Sequence, residues 1–86
     1  NSASAGAISM IISNAATIVA RKQYRLQTVV DEMHMICINT IAQGEEISVT
    51  AELLQLDKKI CKVEVVVTSA EQLKYKAHVI LKVVKK

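Results

Sequence analysis

Residues Ala5 to Lys22 form the one segment whose apolar side chains repeat with the period of an α-helix. Ser9, Ser13 and Thr17 form a thin polar stripe that continues to Arg21. The apolar residues share a broad face: Ile8, Ile11, Ile12, Ala15, Ile18 and Val19. Because a helix this apolar needs cover over much of its circumference, it predicts a sheet curled around it.

The rest of the chain is predicted to be strands. We expect them at Leu26–Ile41, Ile47–Leu56, Ile60–Thr68 and Leu73–Val84. The last three alternate apolar and polar residues, which is typical of half-buried antiparallel strands. The residues expected to face the helix are Ile47, Val49, Ala51, Leu53, Cys61, Val63, Val65, Val67, Tyr75, Ala77, Val79, Leu81 and Val83. One helix followed by four strands predicts an α+β fold.

The first predicted strand departs from this alternation. Residues Met33 to Ile38 are apolar on both faces, apart from His34. A strand of this kind is covered on both faces or lies at an edge that another chain covers. The pattern favours a dimer or larger assembly. The alternative is a cover formed by residues that precede Asn1.

Composition excludes several classes of function. The 86 residues suit one domain, 1–86, and no apolar run reaches the length of about 18 residues that suggests a membrane span. A net charge of +3, with no Phe or Trp, gives no platform for nucleic-acid bases. Cys37 and Cys61 lie in apolar segments without metal-ligand spacing, so we expect no metal site. We expect an intracellular location, in the cytoplasm or an organelle such as the mitochondrion.

Three segments carry a family resemblance: Gly6-Ala7-Ile8, Thr28 to Ile38, and Gly44 to Val49. With them, the chain resembles the hotdog-fold acyl-CoA thioesterases of the PaaI and thioesterase-superfamily-member type. The resemblance implies a long central helix wrapped by a curved antiparallel sheet, with the usual first strand missing. It also implies a hydrolase that needs no cofactor and takes a coenzyme A thioester. The implied assembly is a homodimer or tetramer.

The chain departs from that family at its functional positions. Where the family has His-Gly-Gly at the helix start, to bind and polarise the thioester carbonyl, this chain has Ser4, Ala5 and Gly6. The acidic residue further along the helix is replaced by Ser13, and a Ser or Thr of the next strand appears as Val30. These changes indicate that the usual hydrolytic machinery is lost, as in a pseudoenzyme.

Other residues are candidates to rebuild a catalytic site. Asp31 is expected on the face of Val29, Met33 and Met35, where it could replace the missing acid. The alternative is a solvent-exposed position near the start of the strand. His34, expected on the other face with Val30, Glu32 and Ile36, is a candidate general base or a solvated partner of Glu32.

The helix serines and the lysines are candidate binding groups. Ser9 and Ser13 either contact a thioester or the twofold-related helix, with Ser13 also a catalytic candidate, or they hydrogen-bond the carbonyl four residues back. In a dimer, Lys58 and Lys59 could meet the phosphates of coenzyme A, together with outer-face residues. The others in that basic set are Lys74, Lys76, His78 and Lys82. The alternative for all of them is a solvated surface.

Two rival functions remain open. The first is a catalytically inactive hotdog subunit with a structural role in a larger assembly. The second is a cystatin-like inhibitor, which also cradles a helix in four antiparallel strands. That class needs a glycine in a hairpin tip that the segment Gln27 to Asp31 lacks, so it is the weaker of the two.

Overall fold

The computed structural model describes residues 5–42 and 44–85. The helix α1 spans Ala5–Tyr24 and is followed by four strands, β1 (Gln27–Cys37), β2 (Ser48–Leu56), β3 (Ile60–Ser69) and β4 (Gln72–Lys85). The predicted α+β arrangement is confirmed. The helix ends at Tyr24 rather than Lys22, and β1 ends at Cys37 rather than Ile41. Ser4, a predicted binding residue, lies outside the described residues.

The strands form one antiparallel sheet in the order β1-β4-β3-β2, and α1 packs against all four of them. The predicted inward residues of β3 and β4 are buried, except Val83, which packs partly buried against the core. The buried ones are Cys61, Val63, Val65, Val67, Tyr75, Ala77, Val79 and Leu81. The inward residues of β2 pack partly buried against this core. The period-two pattern therefore placed the sheet correctly relative to the helix.

The helix buries a narrower face than predicted. Its buried residues are Ile8, Ile12, Ala16 and Ala20, spaced four apart, whereas Ile18 is exposed. Met10 is also exposed, so one side of α1 remains apolar and uncovered by the described residues. The sheet covers the helix from one side only, which limits burial to a single i, i+4 stripe.

A β-bulge at Asp31 reverses the faces that alternation predicts for the start of β1. Val30 pairs with Leu81 and Glu32 pairs with Ile80, which leaves Asp31 as the extra residue. Because residues directly opposite each other share a face, Val30 lies on the helix side of the sheet with Leu81, although it remains 40% exposed. The prediction that Val29 shares the face of Met33 was wrong, as was the placement of Val30 beside His34.

The helix and the strands share the long axis of the molecule, whose Cα extents are 41 × 20 × 17 Å. A helix of 20 residues is about 30 Å long, so it fits only along the longest dimension. After Arg25, with φ 55°, the chain turns back into β1. The end of α1 and the start of β1 therefore lie at one end of the molecule, and the start of α1 lies at the other.

Lys74 is buried, although alternation placed it on the exposed outer face. Its Nζ donates a hydrogen bond to the Thr40 carbonyl at 3.2 Å and lies 3.6 Å from Glu45 Oε2. Glu45 Oε1 in turn accepts a hydrogen bond from the Ala42 N–H at 3.0 Å. These contacts hold the connection between β1 and β2 against the sheet, which gives a buried ammonium its partners.

The edge position of β1 predicts self-association. Among the described strands its one neighbour is β4, and it carries Val29, which is 52% exposed. We expect the chain to be dimeric or larger at micromolar concentration, because an unpaired apolar edge pairs readily with another chain. Val29→Lys should shift it toward the monomer. Val84→Lys should not, since Val84 is 57% exposed but lies on an interior strand. Light scattering measures this directly, and a monomeric parent chain would contradict it.

Candidate functional site

Asp31 is presented to solvent by the bulge in β1. Its side chain is exposed and makes no hydrogen bond or ion pair with another described residue. A bulge re-aims a side chain away from the regular alternation of a strand. The carboxylate is consequently available to a ligand or a water molecule at the edge of the sheet.

Ser13 lies half-buried in the middle of α1. Its carbonyl accepts a hydrogen bond from Thr17 Oγ1 at 2.9 Å, whereas its own hydroxyl bonds to no described residue. Ser9 differs, because its Oγ donates to the Gly6 carbonyl at 2.9 Å, a local backbone bond of the expected kind but to the carbonyl three residues back rather than four. Of the two serines, Ser13 therefore keeps the hydroxyl that is free to contact a ligand.

Asp31 and Ser13 lie at similar levels along the long axis. Ser13 is ~17 Å from the end of α1, at roughly 1.5 Å per residue. Asp31 is ~13 Å from the start of β1, at roughly 3.3 Å per residue, and both distances start from the same end of the molecule. No hydrogen bond joins the two side chains. Ser13 on α1 and Asp31 on β1 therefore both lie near the middle of the long axis.

The helix N-terminus lies at the opposite end from the β1 start. Ala5 begins α1, and Gly6 is exposed, with no described atom outside its own stretch of helix within 4 Å of where a Cβ would stand. The N–H groups and the positive end of the dipole at the start of a helix suit a developing negative charge. Gly6 is nevertheless ~10 Å along the helix from Ser13.

Lys58 and Lys59 lie in the turn between β2 and β3, both exposed. Asp57 shapes this turn, because its Oδ1 accepts hydrogen bonds at 2.8 Å from the backbone N–H groups of Lys59 and Ile60. The Lys59 carbonyl accepts from the Val83 N–H at 2.8 Å, near the end of β4. The two lysines therefore lie at the C-terminal end of α1, about a helix length (~30 Å) from Gly6. Within one copy of the chain, the predicted binding residues form two separate groups.

The Asp57 turn predicts a loss of stability in acid. The Lys59 and then the Ile60 backbone hydrogen bonds hold the pKa of Asp57 below its ordinary value of 3.8. A lowered folded-state pKa stabilises the fold above the unfolded value, and this contribution is lost as pH falls through the folded value. We expect the urea midpoint of the parent to fall more steeply below about pH 4 than that of Asp57→Ala. Equal slopes would show that these bonds add no pH-dependent stability.

Thr28 is a residue that the sequence did not single out. It pairs with Val83 at the start of β1, and its hydroxyl is buried without a hydrogen-bond partner among the described residues. A buried unpaired hydroxyl is costly, which makes it a candidate ligand contact. Its inward orientation depends on the bulge at Asp31, so simple alternation could not reveal it.

The outer face of the sheet carries a second group of polar side chains. His34 Nε2 is 3.2 Å from Glu32 Oε1, and His78 Nε2 is 3.1 Å from Glu64 Oε2. The predicted pairing of His34 with Glu32 is thus present, and it is solvent-exposed. The hydrogen bond with His78 is the main cause that lowers the pKa of Glu64.

Residues 5–42 and 44–85 contain neither a membrane-spanning helix nor a group of metal ligands. No helix there combines the length and hydropathy needed to cross a membrane. No three or more His, Cys, Asp or Glu side chains are grouped so as to hold a metal ion.

Comparison with known proteins identifies the fold. The chain is similar to a hypothetical thioesterase of Streptococcus pneumoniae (TM-score 0.93, 15% identity, 99% of this chain and 70% of that one). It is also similar to smu.793 of Streptococcus mutans bound to acetyl CoA (0.92, 17%, 99% and 68%). A third similar structure is thioesterase superfamily member 2 of Mus musculus (0.84, 18%, 94% and 61%).

These similarities show that the chain has the hotdog fold of thioesterases, as the resemblance implied. The chain corresponds to roughly two thirds of the length of those proteins. No protein-family model matches the sequence, and no curated protein matches it either.

Proposed function

We propose that this chain binds acyl-CoA thioesters as a thioesterase-like hotdog protein. The observation that carries this proposal is the close fit of nearly the whole chain to a hotdog structure that contains acetyl CoA. The exposed Asp31 carboxylate and the free Ser13 hydroxyl at mid-molecule supply polar groups for such a ligand. The proposal needs no cofactor, since the thioester itself is the ligand.

The ligand site is assembled from two copies of the chain. Gly6 and the lysine pair lie at opposite ends of one copy, so a single thioester contacts both only if different copies supply them. The uncovered side of α1, with Met10 and Ile18, and the edge of β1 offer the surface for that pairing. In this arrangement Lys58 and Lys59 meet the coenzyme A phosphates as point charges.

Hydrolysis on this scaffold proceeds by attack of water on the thioester carbonyl, after which the C–S bond breaks and coenzyme A leaves as a thiolate that takes up the proton held by Asp31. Asp31 takes the proton from the water as general base. The helix N-terminus at Ala5 and Gly6, supplied by the other copy, stabilises the negative charge that develops on the carbonyl oxygen. Ser13 positions the thioester by a hydrogen bond and does not act as the nucleophile, because no described residue of the same copy offers a base within hydrogen-bond distance of its hydroxyl.

A second candidate is a catalytically inactive hotdog subunit with a structural role. The composition of α1 favours it, because the helix contains no Asp or Glu anywhere along its length. A chain that kept only the scaffold would retain the apolar faces that hold it to other subunits. Such a chain would bind coenzyme A weakly, or not at all.

A hydrolysis assay distinguishes the two candidates. The purified chain is incubated with short, medium and long acyl-CoA substrates, and free thiol is followed over time. Turnover above that of Asp31→Asn would support a site rebuilt around Asp31. No turnover, from protein shown to be folded by its cooperative urea transition, would support the structural role.

A further inference from the structure

Four side chains of the outer face lie in one cross-strand group. His34 of β1 pairs directly with His78 of β4, and His78 pairs directly with Glu64 of β3. Glu32 stands two residues from His34 on the same face. Directly opposed residues have Cβ atoms about 5 Å apart, so the two imidazoles are close neighbours. They line a shallow groove of about 210 Å³, with Ile36 and Lys76 beside them.

Each imidazole is held by one carboxylate through the same ring nitrogen. His34 bonds through Nε2 to Glu32, and His78 bonds through Nε2 to Glu64. A carboxylate accepts from N–H, which places the proton on Nε2 and leaves the Nδ1 lone pair available. Neither Nδ1 has a hydrogen-bond partner among the described residues. Metal-binding histidines commonly have this arrangement, with the second nitrogen bonded to a carboxylate.

The charges around the groove favour a cation. Glu32 and Glu64 bring two negative charges, and Lys76 brings one positive charge, 3.7 Å from Glu64 Oε2. With neutral imidazoles the group has a net charge of −1. Lys62 is the nearest further charge on that face of β3, two positions from Glu64. The group is therefore a poor anion site at neutral pH.

We propose that His34 and His78 bind one divalent transition-metal ion, zinc or copper, on the outer face of the sheet. The Nδ1 atoms are the two protein ligands, and water fills the remaining positions. Imidazole nitrogen suits both metals. Glu32 and Glu64 do not ligate; they orient the rings and fix the tautomer. The site has two protein ligands, so it is consistent with the absence, among the described residues, of a metal-holding group of three or more His, Cys, Asp or Glu side chains. The two ligands lie on the outer face of the sheet, whereas α1, with Ser13 of the proposed thioester site, packs against the inner face.

Titration with zinc tests the proposal in a Cys37→Ser background, because the exposed Cys37 thiol could also bind the metal. His34 and His78 are the only histidines in the chain, so each single substitution removes one of the two proposed ligands. We expect one zinc per chain by calorimetry at pH 7.5, with affinity falling at least 10-fold in His34→Gln and in His78→Gln. Both histidines are partly exposed, so these variants should fold.

A second set of variants distinguishes a specific metal site from nonspecific zinc binding. Glu32→Gln and Glu64→Gln should weaken zinc binding by about 10- to 100-fold, since they remove the carboxylates that orient the rings. Lys62→Gln, the matched control on the same face, should not weaken it. Copper bound to the parent should show nitrogen hyperfine coupling in its electron paramagnetic resonance spectrum. Unchanged binding in the double histidine variant, or no binding up to about 1 mM zinc, would overturn the proposal.

Discussion

The Asp31→Asn variant should lose at least about 100-fold of any acyl-CoA hydrolysis that the parent chain performs. The substitution keeps the size and hydrogen-bonding shape of the side chain but removes the carboxylate that accepts the water proton. Asp31 is exposed and makes no hydrogen bond or ion pair with a described residue, so the change should leave the stability of the fold unaltered. The effect should appear in kcat, measured by release of free coenzyme A thiol.

Glu52→Gln is the matched control for that prediction. Glu52 is an exposed carboxylate on β2, an edge strand on the opposite side of the sheet from β1. The Glu52→Gln variant should hydrolyse thioesters at the parent rate. If Asp31→Asn retained the full rate of an active parent, Asp31 would not be the base, and the activating group would have to come from elsewhere.

The Leu81→Ala variant should lower the free energy of unfolding by about 2–5 kcal/mol. Leu81 is 0% exposed and lies between Val30 of β1 and Cys61 of β3, at the centre of the sheet. Removing its side chain loses apolar burial and leaves a cavity, because neighbouring strands fixed by their hydrogen bonds cannot close the space. For a domain this small, the loss is a large part of its total stability.

Leu54→Ala is the matched control for the core prediction. Leu54 is 46% exposed and lies at an irregularity in the pairing of β2 with β3. The same change in chemistry should cost within about 0.5 kcal/mol there. Urea unfolding of both variants gives the comparison. Equal losses would mean that Leu81 is not packed as the structure shows.

The sequence predicted the sheet core well because alternation and burial have the same period. Val63, Val65 and Val67 could be assigned to the core from spacing alone, and they are fully buried. The helix was harder to interpret. The sequence pattern around an apolar residue such as Ile18 is the same whether the residue faces the sheet or an uncovered surface. Periodicity therefore predicted a wider buried face of α1 than the structure has.

The candidate site was less predictable than the fold. The bulge at Asp31 adds one residue to β1, and nothing in its local sequence distinguishes it from a regular strand. It changed the faces assigned to Val29 and Val30 and brought Thr28 inward. Lys74 was misplaced for another reason, because its partners Thr40 and Glu45 come from a connection whose path only the folded chain defines.

The separation of the binding residues also needed the three-dimensional structure. Gly6 and Lys58 belong to opposite ends of the long axis, a consequence of how α1 and the strands align. Sequence order carries no such information. The same alignment is the reason that a site using both groups must draw on two copies of the chain.

Equilibrium binding of acetyl CoA to the folded chain, measured by calorimetry, tests the central proposal most directly. We expect saturable binding with one ligand per chain, weakened at least 10-fold in the double variant Lys58→Gln/Lys59→Gln. Val29→Lys should weaken it too, because that variant removes the second copy from the site. Absence of saturable binding up to about 1 mM, in protein with a cooperative unfolding transition, would contradict a role in binding coenzyme A thioesters.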